Sequence, residues 1–415
     1  MSENQKTVLL LGNYRPSLTL ARSLQKRGFS VIVSSQGCDK GCEHSKAVSK
    51  IWDHSPFGTS PDIFISELRE FVSQNTNLEA IYPVAEEYVR LIADNEGGFS
   101  IFPNIIAMPA KLVNQCLDKQ FMMQLALENG VQTASFASTF CKQEFDAATE
   151  KLNFPIVVRP LDSTKRLGGK KALFIDDVSS LSIENSKLKL DQLDLLLQEK
   201  FAGKRHNIYF AASQGKLIRC LHAVINRTDS VEDTGLAVDG ITLDPHGPLV
   251  EQTKCLLAAL DYSGIGCAQF LVNEKNCTSS FLEINPRIAG NHALPEYAGL
   301  DLGNYMFDWA RGNQPDQTSF AGRSGIRYCW ASGDLMGTKV AFLRGEIGAF
   351  AALSRCLKAI GTAMRADVHM VFDRSDPMPA INALWKVVPR IDRRNPPTEA
   401  ANNITACHDV TRKLT

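Results

Sequence analysis

The run Phe281-Leu282-Glu283-Ile284-Asn285-Pro286-Arg287, preceded by Ala268-Gln269-Phe270, decides how the rest of the chain is read. Two strand-like stretches, 267–272 and 281–285, flank a polar turn at 273–280, which predicts a β-hairpin. Side chains alternate between the faces of a strand, so Glu283 and Asn285 share one face and Leu282 and Ile284 the other. If the two strands pair in register, Gln269 joins Glu283 and Asn285. Pro286 stops the ladder and leaves Arg287 just beyond it. Three oxygen-bearing side chains on rigid strands suit a hard cation such as magnesium, which binds one or two carboxylates plus the phosphates of a nucleotide. An arginine beside them suits a phosphate, because its planar fork donates two charge-assisted hydrogen bonds. A bare E-x-N is also what the solvent side of an amphipathic strand shows, so the neighbouring motifs carry the decision.

The chain has 415 residues, which predicts two or three structural units. Its 44% hydrophobic and 22% charged content is that of a soluble globular protein. Lys+Arg and Asp+Glu both number 45, so no overall charge bias points to nucleic acid or to an anionic membrane. With no long apolar run at the N-terminus or elsewhere, a cytoplasmic location is expected. The 11 cysteines, many in apolar surroundings, read as free thiols in a reducing compartment. Cys38, Cys42 and His44 lack a nearby fourth ligand, so no zinc site is expected there.

In chain order, Val8–Leu11, the turn 12–16, a helix over 18–27 ended by Gly28, and a strand at 31–33 make a βαβ opening without G-x-G-x-x-G. A helix at 63–73, a strand at 80–82, a helix at 86–94 and a strand at 100–102 complete a small doubly wound sheet. Ligands on such sheets lie beyond the carboxyl ends of the strands, near Asn13, Arg15 and residues 83–87. Glu86 and Glu87 are equally what a helix N-terminus favours. Helices follow at 112–117 and 121–129, with Asp118-Lys119 between them. A buried strand ends in Val158-Arg159-Pro160. Next comes the basic loop Ser163-Thr164-Lys165-Arg166-Leu167-Gly168-Gly169-Lys170-Lys171, which reads either as a solvated hairpin tip or as a cover for phosphates. Another strand, from Leu195, runs into Glu199-Lys200-Phe201-Ala202-Gly203. Strands at 207–212 and 216–225, a polar loop to Gly240 and a helix at 248–260 lead back to the hairpin. A helix is expected from Gly290-Asn291-His292 to about Ala310, and a strand at 325–332 that residues 337–347 extend. An irregular, proline-rich stretch is expected at 378–397.

Taken together, these motifs resemble the ATP-grasp superfamily over roughly residues 5–312. Its last strands carry an acidic or amide residue and then E-x-N-P-R. The glutamine at 269, where many members have a carboxylate, is similar to the carbamoyl-phosphate synthetase large chain. The linker 199–206 looks like that of biotin carboxylase. The resemblance implies an α/β and α+β architecture: a Rossmann-like domain at 1–105, a two-lobed ATP-grasp fold at 106–312 with a lid at about 140–205, and a small C-terminal extension at 313–415. It implies that Gln269, Glu283 and Asn285 hold magnesium, with manganese as a substitute, on ATP. Lys119, Arg159, Gly168 and Gly169 would cradle the phosphates. Glu199, Lys200, Phe201 and Ala202 would form the adenine linker, with His206 on the ribose or a phosphate. Glu283 and Arg287 would be catalytic, Arg287 steadying the transferred phosphate or acyl phosphate. The implied reaction is ATP-dependent amide or peptide bond formation from a small-molecule carboxylate and an amine, by an enzyme of the carbon–nitrogen ligase type. Alternatives are a bicarbonate-activating enzyme, a carboxylase or carbamoyl-phosphate type, or a non-catalytic ATP-binding protein. Neither nucleic acid nor membrane is an expected partner; a homodimer is left open. No serine-hydrolase elbow, P-loop or H-E-x-x-H occurs in the chain.

Overall fold

The computed structural model describes residues 5–37, 40–57, 60–102, 104–162, 165–313 and 315–388. The first sheet is parallel and four-stranded, in the order Lys50–Asp53, Ser30–Ser35, Thr7–Leu11, Leu78–Pro83. Its central strand is fully buried because helices cover both faces. Val8 and Leu10 pack with Val31, Val33 and Tyr82 on one side, while Leu9 and Leu11 pack with Ile32, Ile81 and Phe64 on the other. That two-sided burial is why the strand reads as an unbroken apolar run. The helix after it starts at Arg15, earlier than expected, with Pro16 in its first turn, where a missing N–H costs nothing.

A second, antiparallel sheet of four strands forms a small lobe, ordered Phe136–Thr139, Leu195–Glu199, Ile156–Pro160, Leu173–Ile175. Helices Lys142–Lys151 and Val178–Leu188 back it, and Ile156, Val158, Leu195 and Leu197 make its separate core. The third sheet, of eight strands, carries the predicted hairpin at one edge. From there it runs Thr278–Asn285, Gly264–Asn273, Lys204–Ser213, Lys216–Thr228, Ala237–Leu243, Arg327–Cys329, Val368–His369, with Phe320–Ala321 beside Lys216–Thr228. Residues beyond 313, expected as a small extension, thus lengthen the central sheet itself.

Several local expectations are corrected. Residues 100–102 are not a strand. Phe99 and Phe102, three apart, both point into one core with ring centroids 6.0 Å apart, which is helical spacing. Ile105 instead bridges Ile81. The span 337–347 does not extend a strand: Ala331–Leu343 is a helix. Gly337 misleads the sequence reading, because a glycine weakens a helix pattern. Here the backbone of Asp229 lies where a Cβ would be, so only glycine fits. The expected single helix to Ala310 is two, Ala293–Tyr297 and Leu302–Ala310, separated by Gly299 and by Asp301 with φ 47°. Met378–Trp385 is helical rather than irregular, with Pro379 in its first turn; 389–397 lie outside the described residues, as do Ser163, Thr164 and Cys38. Strand Lys50–Asp53 and helix Ala349–Arg365 were not anticipated.

The C-terminal region is tied back to the first domain by Asp376. Its carboxylate accepts from Arg22 Nε at 3.0 Å, Ser45 Oγ at 2.6 Å and the Lys46 N–H at 3.0 Å. Burial works against the Asp376 charge, but these donors outweigh it and leave its pKa lowered. Arg22 also donates to the Val371 and Asp376 carbonyls. Removing one member of a pair this buried leaves the other charge uncompensated. Asp376→Ala should therefore cost about 3 kcal/mol. Urea unfolding measures this, and a loss below ~0.5 kcal/mol would show that the clamp is not holding the two regions together.

Candidate functional site

The hairpin forms with Gln269 directly opposite Glu283, and Cys267 opposite Asn285. The register shifts after Gln269, pairing Phe270 with Phe281. Leu282 is thereby left as the extra residue of a bulge. It was expected on the same face as Ile284, yet it is only half-buried, while Ile284 is packed in the core. The bulge re-aims the strand end, so Gln269, Glu283 and Asn285 all line one cleft of about 1090 Å³. Asn285 Nδ2 donates to Glu283 Oε1 at 2.9 Å. After Pro286, Arg287 donates to Asn285 Oδ1 at 3.2 Å and, through Nη2 and Nε, to Glu86 Oε2 at 2.8 and 3.1 Å. Burial opposes the Arg287 charge; Glu86, helped by Tyr14 and Glu283, more than compensates and holds its pKa raised. Glu86 heads the helix Glu86–Asp94 that packs on the parallel sheet, so this ion pair joins that layer to the hairpin at the cleft.

Opposite the hairpin, Asp118 caps the helix Lys119–Glu128 by accepting from the Phe121 N–H at 2.9 Å. The cap directs Lys119 across the cleft, where its ammonium donates to the Pro160 and Leu161 carbonyls at 2.7 and 2.8 Å. Burial, then the nearby Arg159, lower the Lys119 pKa to about 8. Arg159 alternates with buried Val158 and so faces the cleft, donating to Gln198 Oε1 at 3.0 Å. Its Nε is buried without a partner among the described residues, and burial lowers its pKa against the pull of Glu283. Lys171, its pKa also lowered by burial, lines the same cavity with Lys165 and Arg166.

Lys200, Phe201 and Ala202 form the far wall. The Lys200 N–H donates to the Pro155 carbonyl at 2.9 Å, and its ammonium lies 5.0 Å from the centre of the Phe174 ring. Glu199, though it borders the cavity, spends its carboxylate on the Asn153 N–H at 2.9 Å and on Ser135, bonds that lower its pKa. Its side chain fastens the linker to the lobe.

Three expected site residues are not at the cleft. Gly168 and Gly169, with φ of 54° and 83°, form the two-residue tip of a tight turn closed by reciprocal Leu167–Lys170 bonds of 2.9 Å. Neither lines the large cavity; the adjoining Lys170 instead pairs with Glu232 at 3.0 Å. His206 faces away from the cleft, with Nδ1 2.9 Å from His222 Nε2. Strand alternation explains the error: Arg205 and Asn207, its neighbours, face the cavity instead. Arg205 donates to the Gly235 carbonyl at 3.2 Å. Arg15, expected near a ligand from its place beyond the first strand, lines the cavity, as do Arg90 and Arg227, which nothing in their local sequence marks as site residues.

Among the described residues no group of three or more His, Cys, Asp or Glu could hold a metal. The hairpin offers one carboxylate and two amide oxygens, donors hard enough for magnesium and too weakly charged to retain it without nucleotide phosphates. The residues fit such an ion.

Residues 237–318 match the family model described as the carbamoyl-phosphate synthase L chain, ATP binding domain. No curated protein matches the sequence. Among solved structures, the L-amino acid ligase from Bacillus licheniformis is 14% identical, with 75% of each chain covered and a TM-score of 0.58. N5-carboxyaminoimidazole synthetase from Staphylococcus aureus, complexed with ADP, is 14% identical over 80% of this chain and 85% of that one, with a TM-score of 0.59. The 2-oxoglutarate carboxylase biotin carboxylase domain from Hydrogenobacter thermophilus, in complex with MgADP and bicarbonate, is 17% identical over 76% and 71%, also at 0.59. These likenesses define the class: the chain has the ATP-grasp fold. Within that class it is similar to ligases and carboxylases. No helix among the described residues is long and apolar enough to cross a membrane.

Burial, then His222, lower the His206 pKa to about 4, below its ordinary 6.5. The unfolded chain therefore takes up this proton first as pH falls, and stability drops between about 6.5 and 4. Buried His292, lowered to about 3, adds to the same limb. His206→Gln should flatten that limb without weakening ligand binding at the cleft. Urea midpoints across this pH range check the first half, and a loss of MgADP affinity would restore His206 to the site.

Proposed function

We propose that this protein is an ATP-dependent ligase that joins a carboxylate to an amine. The observation that carries the reading is the arrangement of the cleft. Oxygen donors stand on one wall, cations with burial-lowered pKa values on the other, and an arginine held by glutamate lies between them. Buried, undercompensated cations await an anion, and a polyphosphate meets that need. Gln269, Glu283 and Asn285 would hold magnesium, which when bound supplies charge neutralisation at the phosphate oxygens.

Lys119 and Arg159 would bind the α- and β-phosphates, and Lys165, Arg166 and Lys171 would cover them from the lid loop. Lys200–Ala202 would receive the base along their backbone. Arg287 would orient the γ-phosphate for attack by a substrate carboxylate oxygen. The new O–P bond forms as the bond to the departing ADP breaks, giving an acyl phosphate. An amine nitrogen then attacks the acyl carbon, the C–O bond to phosphate breaks, and the amine loses a proton. Positioning and charge do this work, as phosphoryl transfer requires.

The test is ADP release with ATP, magnesium and pools of carboxylates and amines. Amine-dependent release supports the ligase; bicarbonate-dependent release, or nucleotide binding without turnover, overturns it. Glu283→Gln should lower turnover on the order of a hundredfold or more while the fold is kept, read by circular dichroism and steady-state rates. Unchanged turnover in that variant would remove the hairpin from the chemistry.

Nucleotide phosphates should also reverse the pKa shift of Lys119. In the free protein part of its ammonium is deprotonated above pH about 8. An anion alongside favours the charged form, so MgADP binding should draw in protons at pH about 8.5. Calorimetry in two buffers of different ionisation enthalpy reports this, and Lys119→Met should abolish it. Binding heats that do not depend on the buffer in the wild type would place Lys119 away from the phosphates.

A further inference from the structure

Arg15 begins the helix at the carboxyl end of the first strand and lines the cleft on the side of the first domain. Its guanidinium carbon lies 3.3 Å from the centre of the Trp330 ring, so the indole covers one face of the fork. Of the other arginines lining the cleft, Arg90 is paired with Asp162, Arg227 with Asp334 and Arg287 with Glu86, while Arg159 and Arg205 donate to the Gln198 side chain and the Gly235 carbonyl. The Arg15 side chain has no carboxylate within ion-pair distance and no hydrogen-bond partner among the described residues, and its Nη1 is shut off from water. Asp229 is the acid that pulls on it most, but Oδ1 of that carboxylate accepts from the Leu236 N–H at 2.7 Å. Burial lowers the Arg15 pKa to about 10, so it keeps its charge at neutral pH. A buried guanidinium of this kind is costly unless an anion completes it.

The anion is not the carboxylate being activated. That group must meet the γ-phosphate beside Arg287, and Arg15, at the start of the first helix and stacked on Trp330, is a different cation from the one Glu86 holds. With one face covered by the indole, the fork still offers its in-plane edge, which can donate two charge-assisted hydrogen bonds to the two oxygens of one carboxylate.

We propose that Arg15, stacked on Trp330, receives the carboxylate that is not consumed in the reaction, so that the amine substrate is an amino acid bound through its free acid group. This assignment rests on the ligase reading above.

Thermal unfolding in MgADP tests it, using wild type, Arg15→Gln and Arg15→Lys with each standard amino acid and the matching amino acid carboxamide. At least one free acid should raise the wild-type midpoint while its carboxamide does not. Arg15→Gln should lose that shift and keep the one due to MgADP, which shows the variant is folded. Arg15→Lys, which keeps the charge without the fork, should need roughly tenfold more ligand. The assignment is overturned by a shift that survives Arg15→Gln, by equal shifts from acid and carboxamide, or by no shift from any free acid. A wild type that MgADP does not stabilise would instead sink the nucleotide reading, and the amino-acid shifts would still decide Arg15.

Discussion

The ion pair between Arg287 and Glu86 is the constraint on which the site depends. It links the last residue of the hairpin motif to the first turn of a helix two hundred residues earlier, with Nη2–Oε2 at 2.8 Å. Both side chains are largely withdrawn from solvent, so neither charge is easily left alone. The pair therefore fixes the edge of the central sheet relative to the first domain. Two walls of the cleft are set by that relation: the oxygen donors on the hairpin, and Arg15 at the start of the first helix.

A second theme is the cost of gathering positive charge. Lys119, Arg159, Lys171 and Arg15 all have pKa values lowered first by burial. Elsewhere the fold sets buried charge against opposite charge. Asp376 gathers three donors from the first domain, and Arg227 is held by Asp334 at 2.6 Å, tying helix Ala331–Leu343 to the central sheet. Trp330 belongs to the same C-terminal region, so residues after 313 serve the cavity as well as the sheet.

The small lobe shows how charge and packing divide the work. Its core is apolar and closed, while Arg159 and the lid-loop lysines project from it toward the cleft. Glu199 looked like part of a binding linker and turns out to anchor that linker to Ser135 and Asn153. Lys170 ties the glycine turn to Glu232 across the gap between lobes.

Short-range rules made part of the site legible in the chain itself. Strand alternation and Pro286 placed Glu283, Asn285 and Arg287. The apolar run at Val8–Leu11 announced a strand covered on both faces. The Asp118-Lys119 and Val158-Arg159-Pro160 motifs marked cations that do reach the cavity. Tertiary structure alone decided the rest. A one-residue difference in strand phase turns His206 away from the cleft and brings Arg205 and Asn207 to it. The bulge at Leu282 depends on pairing with a strand a dozen residues away. Arg15 owes its environment to Trp330, more than three hundred residues distant, and Gly337 reads as a break until the backbone of Asp229 is seen against it. Local patterns state which way a side chain points along its own element; only the packing of distant elements states what it meets there.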